Sequence, residues 1–186
     1  MTDRKPQRAD AVRNRDRVLA TARAAMAAGD LSLQLNELAR QAGVGVGTVY
    51  RNFPTRQALI EALADDQFEQ LLAEVGRALE AADAWAALTR LAGSWVALSL
   101  AEPGLAEVMA SGSAAGAETA ARKGRLGVAT EALLARARAD GQLRAAVNAE
   151  DLWALLCGVV HAATRSSDPM AGGEKYLAVM LNGLQT

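Results

Sequence analysis

Apolar residues between positions 35 and 53 recur with the spacing of two short helices. The first stripe falls at i, i+3, i+4 and i+7, the period of one buried helical face, and consists of Leu35, Leu38, Ala39 and Ala42. Gly43 follows at once and tolerates a left-handed backbone. A second stripe of inward-facing positions consists of Val46, Val49 and Phe53. This pattern predicts a helix-turn-helix, whose second helix enters the major groove of DNA.

Further stripes of helical period predict an all-α fold of about nine helices. Outside the helix-turn-helix, the expected helices lie at about 10–28, 56–82, 84–101, 105–110, 117–139, 149–165 and 169–184. Thr55 follows a proline and suits an N-cap, and Asn148 with Asp151 resembles a capping box. A hinge of small residues is expected at 111–116. We therefore predict a DNA-binding domain at 1–58 and a larger helical domain at 59–186.

Composition agrees with a helical, membrane-free protein without a bound metal. Of the 186 residues 51% are apolar, and no segment alternates as a strand does. The single cysteine, Cys157, has no nearby Cys or His that would complete a metal site, so we expect neither metal nor cofactor. The longest apolar run, 152–160, is too short to cross a bilayer, and the charged N-terminus does not resemble a signal peptide. A cytoplasmic location is expected.

The charge is distributed unevenly along the chain. Residues 1–60 hold ten Lys and Arg against five Asp and Glu, whereas the formal net charge of the whole chain is −1. A basic first third on an acidic remainder favours a phosphate-binding surface at one end. We expect Arg4, Lys5 and Arg8 to lie in an irregular arm before the first helix.

Residues 17–63 resemble the DNA-binding domain of the tetracycline-repressor (TetR) family of bacterial regulators. The resemblance lies in Ala27-Ala28-Gly29, Glu37-Leu38-Ala39, Ala42-Gly43-Val44, Gly47-Thr48-Val49-Tyr50, Phe53 and Ala58-Leu59. It implies a homodimeric repressor that releases a palindromic operator in double-stranded DNA when a small apolar or amphipathic effector binds the larger domain. It places four residues at base edges: Val46, Gly47, Thr48 and Arg51. It places three at phosphates: Tyr50, Asn52 and Arg56.

The larger domain offers weaker signals. The candidates for lining an effector pocket are Trp85, Trp95, Met109, Trp153, Cys157 and His161. Each aromatic residue is also an ordinary core residue by its spacing. The single histidine, His161, suits the core or an interface, with effector sensing as the second interpretation.

The last two helices carry broad apolar stripes and are the expected dimer interface. Two-fold symmetry of the protein would then match a palindromic operator. No nucleophile, paired-carboxylate or phosphate-loop motif supports an enzyme. The alternatives are an all-helical carrier or sequestering module for a small molecule, and an activator of the same family.

Overall fold

A computed structural model of the chain describes residues 4–111, 116–144 and 146–186. The described residues form ten α-helices: α1 (Arg4–Ala27), α2 (Leu35–Ala42), α3 (Val46–Asn52), α4 (Arg56–Leu63), α5 (Asp65–Glu80), α6 (Ala84–Ala101), α7 (Pro103–Ala110), α8 (Ala117–Ala139), α9 (Ala149–Ala163) and α10 (Pro169–Leu184). Outside the helices, Leu143 and Gln185 form an isolated antiparallel bridge. The predicted all-α class is confirmed. The core of the expected hinge, residues 112–115, lies outside the described residues.

The chain divides into two compact units, residues 1–63 and 64–186, which we call the head and the body. The head holds α1 to α4, so a fourth helix joins the three that were predicted there. Three apolar side chains of α4, Leu59, Ile60 and Leu63, are buried, and α4 packs against α1. The compact unit therefore ends beyond the predicted boundary after residue 58.

Two predicted helix bounds are wrong. The single helix expected at 56–82 is two helices, because the backbone leaves the helix at Ala64 and a new helix starts where Phe68 N–H donates to the Ala64 carbonyl at 2.9 Å. Asp65 and Asp66 occupy the first turn of α5, where carboxylates favour a helix start. The expected irregular arm is also incorrect, since α1 begins at Arg4 rather than near Asp10.

Helix starts elsewhere follow from capping side chains. Thr55 Oγ1 accepts from Ala58 N–H at 3.1 Å, and Asn148 forms a capping box with Asp151, as predicted. Asp83 and Asp168 cap α6 and α10 in the same way. These caps fix where α4, α6, α9 and α10 begin.

Helix α6 lies at the centre of the body and packs against each of its other five helices. Its Trp95 is completely buried, with the Trp153 ring of α9 edge-on at a centroid distance of 5.9 Å. Helix α10 approaches α6 closely at Gly173. A Cβ at this position would lie only 2.8 Å from Leu100 Cδ1 of α6, so the contact leaves little room for a side chain. No helix in the described part of the chain is long and apolar enough to cross a membrane.

Candidate nucleic-acid interface and ligand cavity

The turn between α2 and α3 is set by a glycine in a left-handed conformation. Gly43 has φ 61° and ψ 37°, and the N–H of Val44 donates back to the Ala39 carbonyl at 2.9 Å. A second glycine, Gly45, has φ −61° and precedes the first residue of α3. The helix-turn-helix predicted from Gly43 and the flanking stripes is therefore present in the fold.

Helix α3 buries one residue and leaves the others exposed or half-buried. Val49 is fully buried and Phe53 nearly so, whereas Val46 and Tyr50 are 47% and 44% exposed. Gly47 and Arg51 are also exposed. Val46 was expected in the inward stripe from its spacing, and that expectation is wrong, because the helix begins at Val46 and its first turn lies outside the core. The outward face instead carries the residues that the resemblance assigns to bases.

Thr48 organises two neighbours on this face. Arg51 Nη2 donates to Thr48 Oγ1 at 2.8 Å, and Asn52 Nδ2 donates to the Thr48 carbonyl at 2.8 Å. The first bond orients the Arg51 guanidinium across the exposed face. The second ties Asn52, which is half-buried, to its own helix. The predicted phosphate contact of Asn52 would require this amide to rotate or to use its second hydrogen.

Arg56 holds the loop between α1 and α2. Its Nε lies 3.2 Å from the Leu31 carbonyl and 3.1 Å from the Ser32 carbonyl, and its Nη2 lies 2.6 Å from that of Leu31. In the same loop Leu33 is buried with φ 45°, an unusual conformation for a residue with a side chain. The structure therefore gives Arg56 a role within the head, and its predicted phosphate contact stays a prediction.

Two arginines of α1 also face the helix-turn-helix. Arg17 Nη2 donates to the Ala42 carbonyl at 2.5 Å and lies 3.3 Å from that of Gly43. The guanidinium of Arg15 lies over the Phe53 ring, 5.3 Å from its centroid. The Arg17 contacts are to uncharged carbonyls, so they hold its guanidinium without cancelling its positive charge. The head thus stays basic beside its candidate DNA surface.

On the exposed side of α2, Glu37 accepts hydrogen bonds from Arg40 and Gln41. The Arg40 Nε–Glu37 Oε2 distance is 3.0 Å, and the Gln41 Nε2–Glu37 Oε1 distance is 2.8 Å. These bonds, that of Arg40 first, lower the pKa of Glu37 to about 2. Gln34, the residue before α2, makes no capping hydrogen bond from its side chain within the described residues. The Glu37 cluster therefore supports a helix that starts without a side-chain cap.

The body contains a cavity of about 550 Å³ between α7, α8 and α9, which we call the outer lobe. Three of the predicted pocket residues, Met109, Trp153 and Cys157, lie on its wall. Lys123 is also part of this wall, and its Nζ donates to the carbonyls of Val108 at 3.0 Å and Ser111 at 2.6 Å.

A second cavity of about 260 Å³, the inner lobe, lies between α6, α7 and α9. His161 and Cys157 line it, and Cys157 and Ala110 belong to both lobes. His161 is exposed rather than part of the core of the chain. Of the other predicted residues, Trp85 is half-buried and Trp95 is core, and neither lines either lobe.

The Cys157 thiol lies where the two lobes meet. Burial raises its pKa, while the positive charge of Lys123 acts in the opposite direction. A thiol with a raised pKa stays protonated at neutral pH and is a weak nucleophile. Cys157 is therefore suited to apolar contact rather than covalent chemistry. Among the described residues no group of three His, Cys, Asp or Glu side chains could hold a metal ion.

Sequence reasoning missed several residues of both regions. Arg17 was not predicted, and Arg56 was predicted only as a phosphate contact, because the atoms that they contact lie about 25 positions away and no local spacing marks these contacts. Ser99 lines the inner lobe. The one sign of it in the sequence is that a polar residue lies four positions after Trp95, on a buried helical face. Lys123 gives no comparable signal, because its partners at the end of α7 are distant in sequence.

Both units match models of known protein families. Residues 18–63 match the model of bacterial regulatory proteins of the tetR family. Residues 83–186, more than half of the chain, match the model described as the C-terminal domain of SbtR-like transcriptional regulators. The protein belongs to the TetR family. It is thus a DNA-binding transcriptional regulator, as the helix-turn-helix predicted.

Individual relatives of this TetR-family protein agree with that assignment. A TetR transcriptional regulator from Streptomyces coelicolor is 33% identical, with a TM-score of 0.55, over 92% of this chain and 98% of that one. A TetR transcription regulatory protein from Mycobacterium vanbaalenii is also 33% identical, with a TM-score of 0.50, over 97% and 100%. An HTH-type transcriptional regulator of Staphylococcus aureus is 32% identical over 75 residues, and the match spans 39% of each chain.

Proposed function

We propose that this protein is a repressor that binds a palindromic operator as a homodimer and releases it when a small apolar or amphipathic molecule binds the body. The observation that carries the proposal is the outward face of α3, where exposed side chains stand on a helix fixed by Gly43 and Arg17. As a DNA-binding regulator it would act in the cytoplasm, beside the chromosome.

The α3 face supports a division of roles. Arg51, held by Thr48, is placed to pair with the O6 and N7 atoms of guanine. Val46 and Gly47, at the start of the helix, would lie against base edges and allow close backbone approach. Tyr50 offers an exposed hydroxyl to a phosphate. We assign Arg56 mainly to positioning, because its Nε and Nη2 already donate to backbone carbonyls.

The homodimer is proposed through α9 and α10. Most of the α9 stripe is buried within the chain itself, but Leu155 remains 44% exposed, and Val179 of α10 is 67% exposed. Exposed apolar residues on two adjacent helices suit a four-helix interface with a second copy. Effector binding would release the operator only if it favours a dimer arrangement that does not fit the half-site spacing.

Fluorescence anisotropy on DNA from upstream of the protein's own gene tests this function. We expect saturable binding that survives nonspecific competitor and weakens steeply with salt. Arg51→Ala should lose about tenfold or more in preference at one base pair, because a bidentate guanine contact discriminates by about 1–3 kcal/mol. Arg40→Ala is the matched control, since Arg40 lies on α2 and pairs with Glu37. Equal loss of preference in both variants, or a monomer in sedimentation, would contradict the proposal.

A further inference from the structure

The inner lobe contains a buried hydroxyl that lacks a partner. Ser99 is 1% exposed and lines the lobe, and its Oγ has no hydrogen-bond partner among the described residues. A buried hydroxyl without a partner destabilises the folded chain. A ligand oxygen in the lobe that accepts from Ser99 Oγ would remove this cost, so the cavity favours a ligand with such an atom.

The charges around the two lobes select against an ionised ligand. Among the described residues that line the inner lobe none is Asp, Glu, Lys or Arg, so a charged group there would meet no fixed counter-ion and only the imidazole of His161. In the outer lobe the Lys123 charge is opposed by the Glu150 carboxylate on the same wall, and an anionic ligand would meet a like charge there as well as a cation.

Two residues line both lobes, so the two cavities adjoin each other. Ala110 and Cys157 border both, so one molecule can extend from Ser99 past the thiol to the outer lobe. Trp153 and Met109 line the far part of that path and offer apolar contact. We therefore expect an oxygen of the occupant at Ser99, while the outer lobe offers apolar contact from Met109 and a second buried donor without a partner among the described residues, Trp153 Nε1.

We propose that the effector is a neutral, mainly apolar molecule with one carbonyl or hydroxyl oxygen, which accepts a hydrogen bond from Ser99 Oγ in the inner lobe. The proposal rests on the ligand-responsive function proposed above. It makes Ser99 the residue that distinguishes an oxygenated ligand from a hydrocarbon of the same shape.

Three small probes that share a ring system test this chemistry: 1-indanone, indane and indane-2-carboxylate. Their dissociation constants are measured on the full chain by ligand-observed saturation-transfer NMR. We expect 1-indanone to bind about fivefold more tightly than indane, the effect of one neutral hydrogen bond, and the carboxylate to bind most weakly. Ser99→Ala should remove the preference for 1-indanone while leaving the affinity for indane within about twofold.

Control variants locate the binding. Ser94→Ala, on the same helix but outside both lobes, should keep the wild-type preference. Ala110→Leu should weaken every probe, since it fills the shared wall, and Ala106→Val replaces it if circular dichroism shows that the first variant does not fold. An unchanged preference in Ser99→Ala, tightest binding of the carboxylate, no binding of any probe, or full binding in the folded cavity-filling variant would overturn the proposal.

Release of DNA is measured separately, by adding 1-indanone to the operator complex in the anisotropy assay. Ser99-dependent binding without release would support the ligand chemistry and contradict the proposed effector response. Release that persists in Ser99→Ala would support the response and overturn the role of Ser99.

Discussion

The head and the body place their candidate functional residues on opposite sides of their helices. In the head, a seven-residue helix buries Val49 and turns its polar side chains outward from a backbone fixed by Gly43 and Arg17. In the body, Ser99 of α6 and Trp153 and Cys157 of α9 face space that packing leaves unfilled. The candidate site of the head therefore depends on the conformation of the backbone. That of the body depends on the volume of the side chains and on the hydrogen bonds and ion pairs that they form.

From this comparison we expect the largest effect from a substitution in the head that disfavours the observed backbone conformation. Gly43→Val forces a β-branched residue into a left-handed conformation, and its Cβ would lie 2.9 Å from Arg17 Nη2. We expect the head to lose about 2 kcal/mol of stability or more, and specific DNA affinity to fall more than tenfold. Thermal unfolding and anisotropy measure the two effects.

Gly45→Ala is the matched control, because Gly45 has a negative φ and a Cβ there would make an ordinary contact. We expect it to bind DNA nearly as the wild type does. Comparable losses in both variants would mean that the turn tolerates no side chain at all, rather than that Gly43 is special for its conformation.

A change of pairing in the body should have an intermediate effect. Arg122 of α8 is nearly buried, and it contacts the carboxylates of Asp65 at 2.7 Å and Glu69 at 3.2 Å on α5, and that of Glu118 at 2.7 Å. Arg122→Met should lower the free energy of unfolding by about 1–2 kcal/mol, because it leaves three partly exposed carboxylates without their cation. Urea denaturation measures the loss.

Arg125→Met is the control for Arg122, since Arg125 is exposed on the same helix. It should change stability little. The sequence preference of DNA binding should be the same in both variants, because neither residue lies in the head. A shift in that preference would contradict the separation of roles between the two units.

The smallest effect is expected from acid. The pKa of Glu37 is lowered to about 2 from an ordinary value of 4.5, so the bonds to Arg40 and Gln41 stabilise the folded head above pH 4.5 and are lost as the pH falls toward 2. Glu37→Gln should therefore make the head slightly less stable at neutral pH and reduce the acid dependence of α2. Circular dichroism over that pH range, with Glu174→Gln of α10 as an exposed control, would show no difference between the two variants if the cluster contributes nothing.

Much of the head could be predicted because its signals are local. The stripe of α2, Gly43 and the Thr55 cap lie within one short segment, and each determines backbone geometry directly. The contacts of Arg17 and Arg56 within the head could not be found in this way, since their partners lie about 25 residues away. The break at Ala64 was also missed, because neither glycine nor proline marks it.

The body was less predictable for a different physical reason. Helical spacing shows that a residue faces inward, but it does not show whether the neighbouring space is filled. Trp95 and Trp153 are both buried and their rings touch, yet of the two only Trp153 lines one of the two lobes. Ser99 was not among the predicted residues, because it lies in a mainly apolar helix and its spacing does not show that its hydroxyl lacks a partner among the described residues.

The contact between Arg56 and the loop at Leu31 and Ser32 bears on the construction of hybrid regulators. A head cut off before α4 would lose this guanidinium and, with it, the support of a loop that holds Leu33 at φ 45°. The apolar side of α4 would be lost as well. Chimaeras that exchange operator specificity should therefore be joined after Leu63, so that the transplanted module carries its own brace.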